Sequence, residues 1–193
     1  MGRLDSENLI RYFRDLQVLC EKWSPIENKI PFKTFANNEG TLTGIGPATA
    51  IEKLRTNIFD YGEMKHIDIN QDFAGLYLFS KNGKPFYCGI SRNVIKRILD
   101  HQKGPTSSMA TLAHRIAKGY SKDSTEEKYL EAFDSERNAL MACDVSLIKF
   151  YDQNKEEHSK NNMHQHKEEI MLYLFEVFVS VNYNTKHNTF RTH

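Results

Sequence analysis

Cysteine is scarce in this chain, at 3 of 193 residues. Cys20, Cys88 and Cys143 are scattered and odd in number, which argues against a disulfide framework, gives no zinc spacing and suits a reducing compartment. No apolar run approaches membrane-spanning length, and the start Met1-Gly2-Arg3-Leu4-Asp5 has neither the apolar core nor the cleavage site of a secretory signal. A cytoplasmic protein without membrane contact is the expectation. There are only 5 prolines, no long Gly/Ser or Pro linker and no internal repeat, so the regions of the chain are expected to pack as one body. At 193 residues there is room for one well-buried core and an accessory region, and too little for two large domains.

A net charge of +1 gives no global signal for nucleic acid, but its distribution does. From Lys81 to Lys122 nine basic residues face one acid, a net of +8, and from Asp123 to Glu157 ten acids face four bases, a net of −6. The basic half includes Lys84, Arg92, Lys96, Lys103, Arg115 and Lys118, which we take as candidate contacts to a phosphate backbone.

Chemistry concentrates in the same stretch. Gly75-Leu76-Tyr77 and Tyr87-Cys88-Gly89 lie in two runs with strand character, joined through Asn82-Gly83, a dipeptide that tolerates the left-handed backbone of a tight hairpin. Two tyrosines therefore stand on paired neighbouring strands. Ser91 is placed to cap a following helix whose apolar stripe is Val94, Ile95, Ile98 and Leu99. Arg97 and His101, four apart, project from one face of that helix. Near the end, Glu176 interrupts the otherwise apolar segment Ile170 to Val181, where a carboxylate is costly unless a metal ion or another partner meets it, and Asn188 follows in His187-Asn188-Thr189.

This ordered set, Gly75-Leu76-Tyr77, Tyr87-Cys88-Gly89, Arg97, His101, Glu176 and Asn188, resembles the signature of the GIY-YIG nuclease family, with Leu76 and Cys88 in place of the usual isoleucines. The resemblance covers residues 73 to 103 and 170 to 193, and the stretch between Arg97 and Glu176 is longer than the minimal family module. It implies an α+β fold with a small three-stranded antiparallel sheet flanked by helices.

Around that module, residues 1 to 70 read as a mainly helical accessory region, and 71 to 193 as the nuclease-like domain with a helical insertion around 105 to 142. Within the accessory part, residues 5 to 23 form an amphipathic helix, residues 28 to 46 are irregular, Pro47 opens a helix to about Asp60, and Met64 to Ile69 add a short strand. Helices are expected at Ser108 to Gly119 and Thr125 to Ala142, and a strand at Asp144 to Tyr151 that would be the third of the sheet. The polar stretch 152 to 166 carries His158, His164 and His166, which we read as solvent-exposed and not as a metal site.

By similarity to the family, the activity would be divalent-metal-dependent endonucleolytic hydrolysis of DNA, favoured over RNA, in restriction or mobile-element defence. Glu176 would be the single protein ligand of one Mg2+ (or Mn2+) that keeps several waters. Arg97 would hold the scissile phosphate. Either Tyr77 or His101 would take the proton from water, Tyr87 would orient water or phosphate, and Asn188 would fix the geometry of the glutamate or the hairpin. One site cuts one strand, so double-strand cleavage would call for a homodimer or two sequential events. The alternative is a non-catalytic nucleic-acid-binding or assembly module that retains the fold.

Overall fold

The structure is a computed structural model that describes residues 6–25, 27–36, 40, 42, 44–54, 58–60, 72–120, 125–152 and 163–188. Its elements run α1 (Ser6–Lys22), β1 (Ile30–Pro31), a 3-10 turn (Phe32–Phe35), α2 (Pro47–Leu54), β2 (Phe59–Asp60), β3 (Phe73–Lys81), β4 (Lys84–Ser91), α3 (Val94–Lys103), α4 (Thr111–Tyr120), α5 (Glu126–Ala139), a second 3-10 turn (Leu140–Ala142), β5 (Asp144–Asp152) and α6 (Met163–Asn182). The fold is α+β. Among the described residues no helix is long and apolar enough to cross a membrane.

Three long antiparallel strands form the sheet in the order β5-β3-β4, as the hairpin reading requires, but the expected total of three is too small. β1 adds antiparallel to β5 at Val145 and Asp144, and β2 adds parallel to it at Ile148 and Lys149. Backbone groups along the outer edge of β5 would otherwise lack ladder partners, and the region before residue 71 supplies them. Phe59 and Asp60, expected at the end of a helix, are the strand β2, and part of the irregular 28 to 46 stretch is β1 and its 3-10 turn. The strand expected at Met64 to Ile69, and His158, lie outside the described residues, whereas His164 and His166 stand in the first turns of α6.

Side-chain alternation splits the core between the faces of the sheet. Tyr77, Phe79, Tyr87, Val145 and Leu147 pack with α3 through Val94, Ile95, Ile98 and Leu99, and with Phe32 and Phe35. Leu76, Leu78, Cys88, Ile148 and Phe150 pack on the other side with Leu16 and Leu19 of α1, with Trp23 just after it, and with Met171, Leu172, Phe175 and Val179 of α6. With both faces covered, the central strand is buried from Phe73 through Ser80. A satellite cluster of Ala110, Ala113, Ala117 and Phe133 joins α4 to α5.

Two irregularities in the ladders set the positions of side chains used below. Between β3 and β4 the pairing passes from Phe79↔Tyr87 to Ser80↔Pro85, which leaves Phe86 as an extra, bulged residue. Between β3 and β5 it passes from Ala74↔Tyr151 to Gly75↔Lys149, and a Cβ on Gly75 would strike the carbonyl of Ile148. The first glycine of the motif is thus a close-approach residue.

The cap of α3 differs from the expectation. Its N-cap is Asn93, and the Ser91 hydroxyl accepts a bond from Asn93 N at 3.0 Å without reaching the helix interior. The free amides of the first turn are taken instead by Asp72, whose carboxylate accepts from Ile95 N at 3.0 Å and Lys96 N at 2.8 Å. Asp72 also accepts from Phe73 N at 2.8 Å, so one side chain fixes the start of β3 against the start of α3. Asp72→Ala is expected to lower stability by about 1–2 kcal/mol, the usual range for a lost cap. An unchanged urea midpoint would remove Asp72 from that role.

Candidate active site

β4 is an edge strand, and the residues singled out from sequence gather along it. Tyr77 stands opposite Gly89 in the ladder, and a Cβ on Gly89 would lie 2.6 Å from Tyr77 Cζ. Only a glycine lets the phenol lie across the neighbouring backbone. There the Tyr77 hydroxyl meets His101 of α3, with 2.7 Å between Oη and Nε2, in a buried hydrogen bond. The Tyr87 ring closes the group, its centroid 6.1 Å from that of Tyr77 and 5.5 Å, edge-on, from that of His101.

Arg97, one turn before His101, is half-buried and does not project freely from its helix. Its Nη1 donates to Met109 O at 2.8 Å and to Ser108 O at 3.3 Å, and its Nη2 to Thr111 Oγ1 at 2.6 Å. Part of the guanidinium therefore pins the start of α4. Arg115 comes from α4 itself. It lies over the Tyr87 ring at 5.9 Å and donates to the carbonyl of His187.

Asn188 is placed by its side chain more than by its backbone. Its Oδ1 accepts from Cys88 N at 2.8 Å and its Nδ2 donates to Cys88 O at 2.7 Å, so a single amide satisfies both main-chain groups of the residue between Tyr87 and Gly89. Of the two roles foreseen for Asn188, this geometry is the hairpin one. Immediately before it, His187 N donates to Phe86 O at 3.2 Å.

Glu176 is partly buried on α6, on the layer opposite His101. Burial pushes its carboxyl up to about 7, and Arg115 opposes the shift. The same Arg115 acts on the far side of the strand: burial brings His101 down to about 3, and the positive charges of Arg97 and Arg115 push in the same direction. His101 is consequently a neutral imidazole at pH 7. Tyr77 is driven well above the ordinary phenol range, chiefly by burial and then by Tyr87, against the pull of Arg97. The basic surroundings that a free phenolate would need are present and are outweighed by desolvation.

The candidate phosphate contacts are less uniform than their charges implied. Arg92 is paired with Glu169 at 2.8 Å, Lys96 with Asp100 at 2.5 Å, and Lys103 donates to Ile45 O at 2.9 Å. Lys84 and Lys118 are exposed. Three features escaped the sequence reading: the Asp72 cap, the Phe86 bulge, and Arg115 as a charge shared by both sides of the edge strand. No local motif marks any of them.

Among the described residues no three His, Cys, Asp or Glu side chains converge as a metal-binding group. A lone, desolvated carboxylate such as Glu176 nevertheless fits a hard cation that keeps most of its water shell, since a positive charge would offset the cost of its burial. No family model, no curated protein and no solved structure matches the chain.

The raised Glu176 value fixes a sign. Folded protein holds this proton between the ordinary carboxyl range near 4.5 and about 7, while unfolded chain has released it, so the contribution of Glu176 to stability falls as pH rises through that window. Glu176→Gln should therefore stabilise the protein at pH 8 by on the order of 2–3 kcal/mol and leave it little changed at pH 4. Equal shifts in melting temperature at both pH values would contradict the burial argument.

Proposed function

We propose that the protein is a divalent-metal-dependent endonuclease of the GIY-YIG type, hydrolysing phosphodiester bonds of DNA in the cytoplasm, in restriction or defence against mobile elements. The observation that carries this reading is the buried 2.7 Å Tyr77–His101 hydrogen bond at an edge strand. Tyr87 and Arg97 flank it, and Arg115 connects it electrostatically to Glu176. A core needs none of this: apolar residues of similar volume would pack there without desolvation cost.

Hydrolysis forms a bond from a water oxygen to phosphorus, breaks the bond from phosphorus to the leaving sugar oxygen, which takes up a proton from solvent, and releases a proton from the attacking water. Tyr77 is suited to pass that proton on. Its oxygen accepts from water while its own proton moves along the hydrogen bond to the neutral His101, so no free phenolate is needed at any point. The charges of Arg97 and Arg115 hold His101 down in the resting protein. A phosphate bound by the donors of Arg97 not engaged with residues 108–111 would offset them, raising the basicity of His101 when substrate is present. Glu176 would hold the Mg2+ (or Mn2+), which when bound neutralises charge on the phosphoryl oxygens. Asn188 keeps the Tyr87–Gly89 backbone in register beneath the substrate. The competing reading, a binding module without cleavage, keeps the fold but gives Glu176 no task.

Nicking of supercoiled plasmid that requires Mg2+ and stops with EDTA is the direct test, and Glu176→Ala should abolish it. For the relay, Tyr77→Phe and His101→Gln should each lower the single-turnover rate by on the order of a hundredfold or more. The double variant should be no worse than the poorer single one, since the two groups act in series. A near-wild-type rate for Tyr77→Phe refutes the relay, and DNA binding without nicking refutes the nuclease.

A further inference from the structure

At the β3–β4 turn lies a cavity of about 800 Å³ walled by the hairpin, α4, the end of α5 and the segment after α6. Its volume is within the range that takes a small organic ligand. The composition of its wall is unlike a packing defect. Lys81, Lys84 and Lys186 stand exposed at its rim, Phe86 and His187 line it while packed edge-to-face on each other with 6.0 Å between centroids, and Glu136 lines it from α5. Ile116 and Leu140 contribute apolar surface. The charge of Glu136 acts on His187 and on Cys143, both of which line the cavity.

The bulge at Phe86 is what joins this cavity to the site. In a regular strand Phe86 and Tyr87 would point to opposite faces of the sheet, but the extra residue brings both onto the face of Phe79, whose ring stacks against each at 6.3 and 6.4 Å. A group lodged against Phe86 is therefore one residue along the strand from Tyr87. Aromatic surface for a planar ring, cations for a phosphate and one carboxylate make a recognisable combination. Carboxylate oxygens accept, and guanine alone among the bases offers two adjacent donors, N1–H and the N2 amino group, to one carboxylate.

We propose that this cavity receives one unstacked guanine nucleotide of the substrate strand, its ring against Phe86 and His187, its Watson–Crick donors on Glu136, and its phosphate at the rim formed by Lys81, Lys84 and Lys186. The proposal rests on the nuclease reading for its biological context, and its binding test is independent of cleavage. Seating a base against Phe86 brings a neighbouring phosphate of the same strand toward Tyr87, the next residue of β4, and it gives the enzyme a means of choosing where to cut.

The experiment is calorimetric titration of the whole protein, in EDTA, with the four deoxynucleoside 5′-monophosphates. The guanine nucleotide should bind about tenfold or more tighter than the other three, the scale of one bidentate base contact. Glu136→Gln should collapse that preference, and the Lys84→Ala/Lys186→Ala double variant should weaken all four nucleotides alike. Ala139→Trp, which fills the cavity from its wall, should abolish binding. Should that variant fail to fold, the Glu136 and lysine variants, which alter a partly exposed and two exposed positions, still decide the matter. Equal affinities for the four nucleotides, or a guanine preference that survives Glu136→Gln, overturn the proposal. Guanine-selective binding without Mg2+-dependent nicking would sustain the cavity assignment and overturn the nuclease; nicking without selective binding would do the reverse.

Discussion

The passage of the Tyr77 phenol across Gly89 is the constraint around which the site is built. Because position 89 carries no side chain, a residue of the central strand can reach over its neighbour to meet α3. His101 is held there by the packing of α3 on the sheet, and α3 is in turn fixed by Asp72 at the start of the same strand. A methyl group at position 89 would displace the phenol, break the hydrogen bond to His101, and leave two polar groups buried without each other.

Burial shifts the titration of three groups in the site, Tyr77, His101 and Glu176. It holds His101 neutral, keeps Tyr77 protonated and raises Glu176 toward neutrality; Arg97 acts on Tyr77, Arg115 on Glu176, and both on His101. Arg115 acts on groups above and below the edge strand, so neutralising it should be felt on both layers. Part of its charge is already committed to the His187 carbonyl, which couples the site electrostatics to the segment that carries Asn188.

The hairpin, the helix that follows it and the third long strand were legible in the sequence because each rests on local chemistry: Asn82-Gly83 for the turn, period 3.6 for α3, and apolar strand-forming runs for β3 and β5. The order of the candidate residues was legible too, and Tyr77, Tyr87 and His101 do meet. What could not be read was non-local. Asp72 caps a helix that begins more than twenty residues later, and Ser91, the local choice, does not reach it. β1 and β2 are two residues each, too short for any periodicity, and they exist only because β5 offers them an edge. The engagement of Arg97 with residues 108–111 depended on neighbours that a charge count ignores, whereas the pair of Lys96 with Asp100 is a local i,i+4 contact that the count passed over. The bulge at Phe86 is a property of two strands together and leaves no mark on either alone.

The segment after α6 also bears on how the protein behaves at high concentration. An exposed edge strand offers its N–H and C=O groups to any other strand that drifts alongside, and this is the usual first step of sheet-to-sheet aggregation. Here the Asn188 amide occupies the N–H and C=O of Cys88, and His187 N occupies the C=O of Phe86. Three backbone groups of β4, on the alternate residues Phe86 and Cys88, thus meet a decoy that satisfies hydrogen bonds without being a strand. The opposite margin of the sheet is treated in the same spirit by β1 and β2, which stop after two residues and extend no ladder. Solubility and the shape of the candidate active site therefore depend on the same few hydrogen bonds, and a change that loosens Asn188 would expose the molecule to self-association as well as disturb its chemistry.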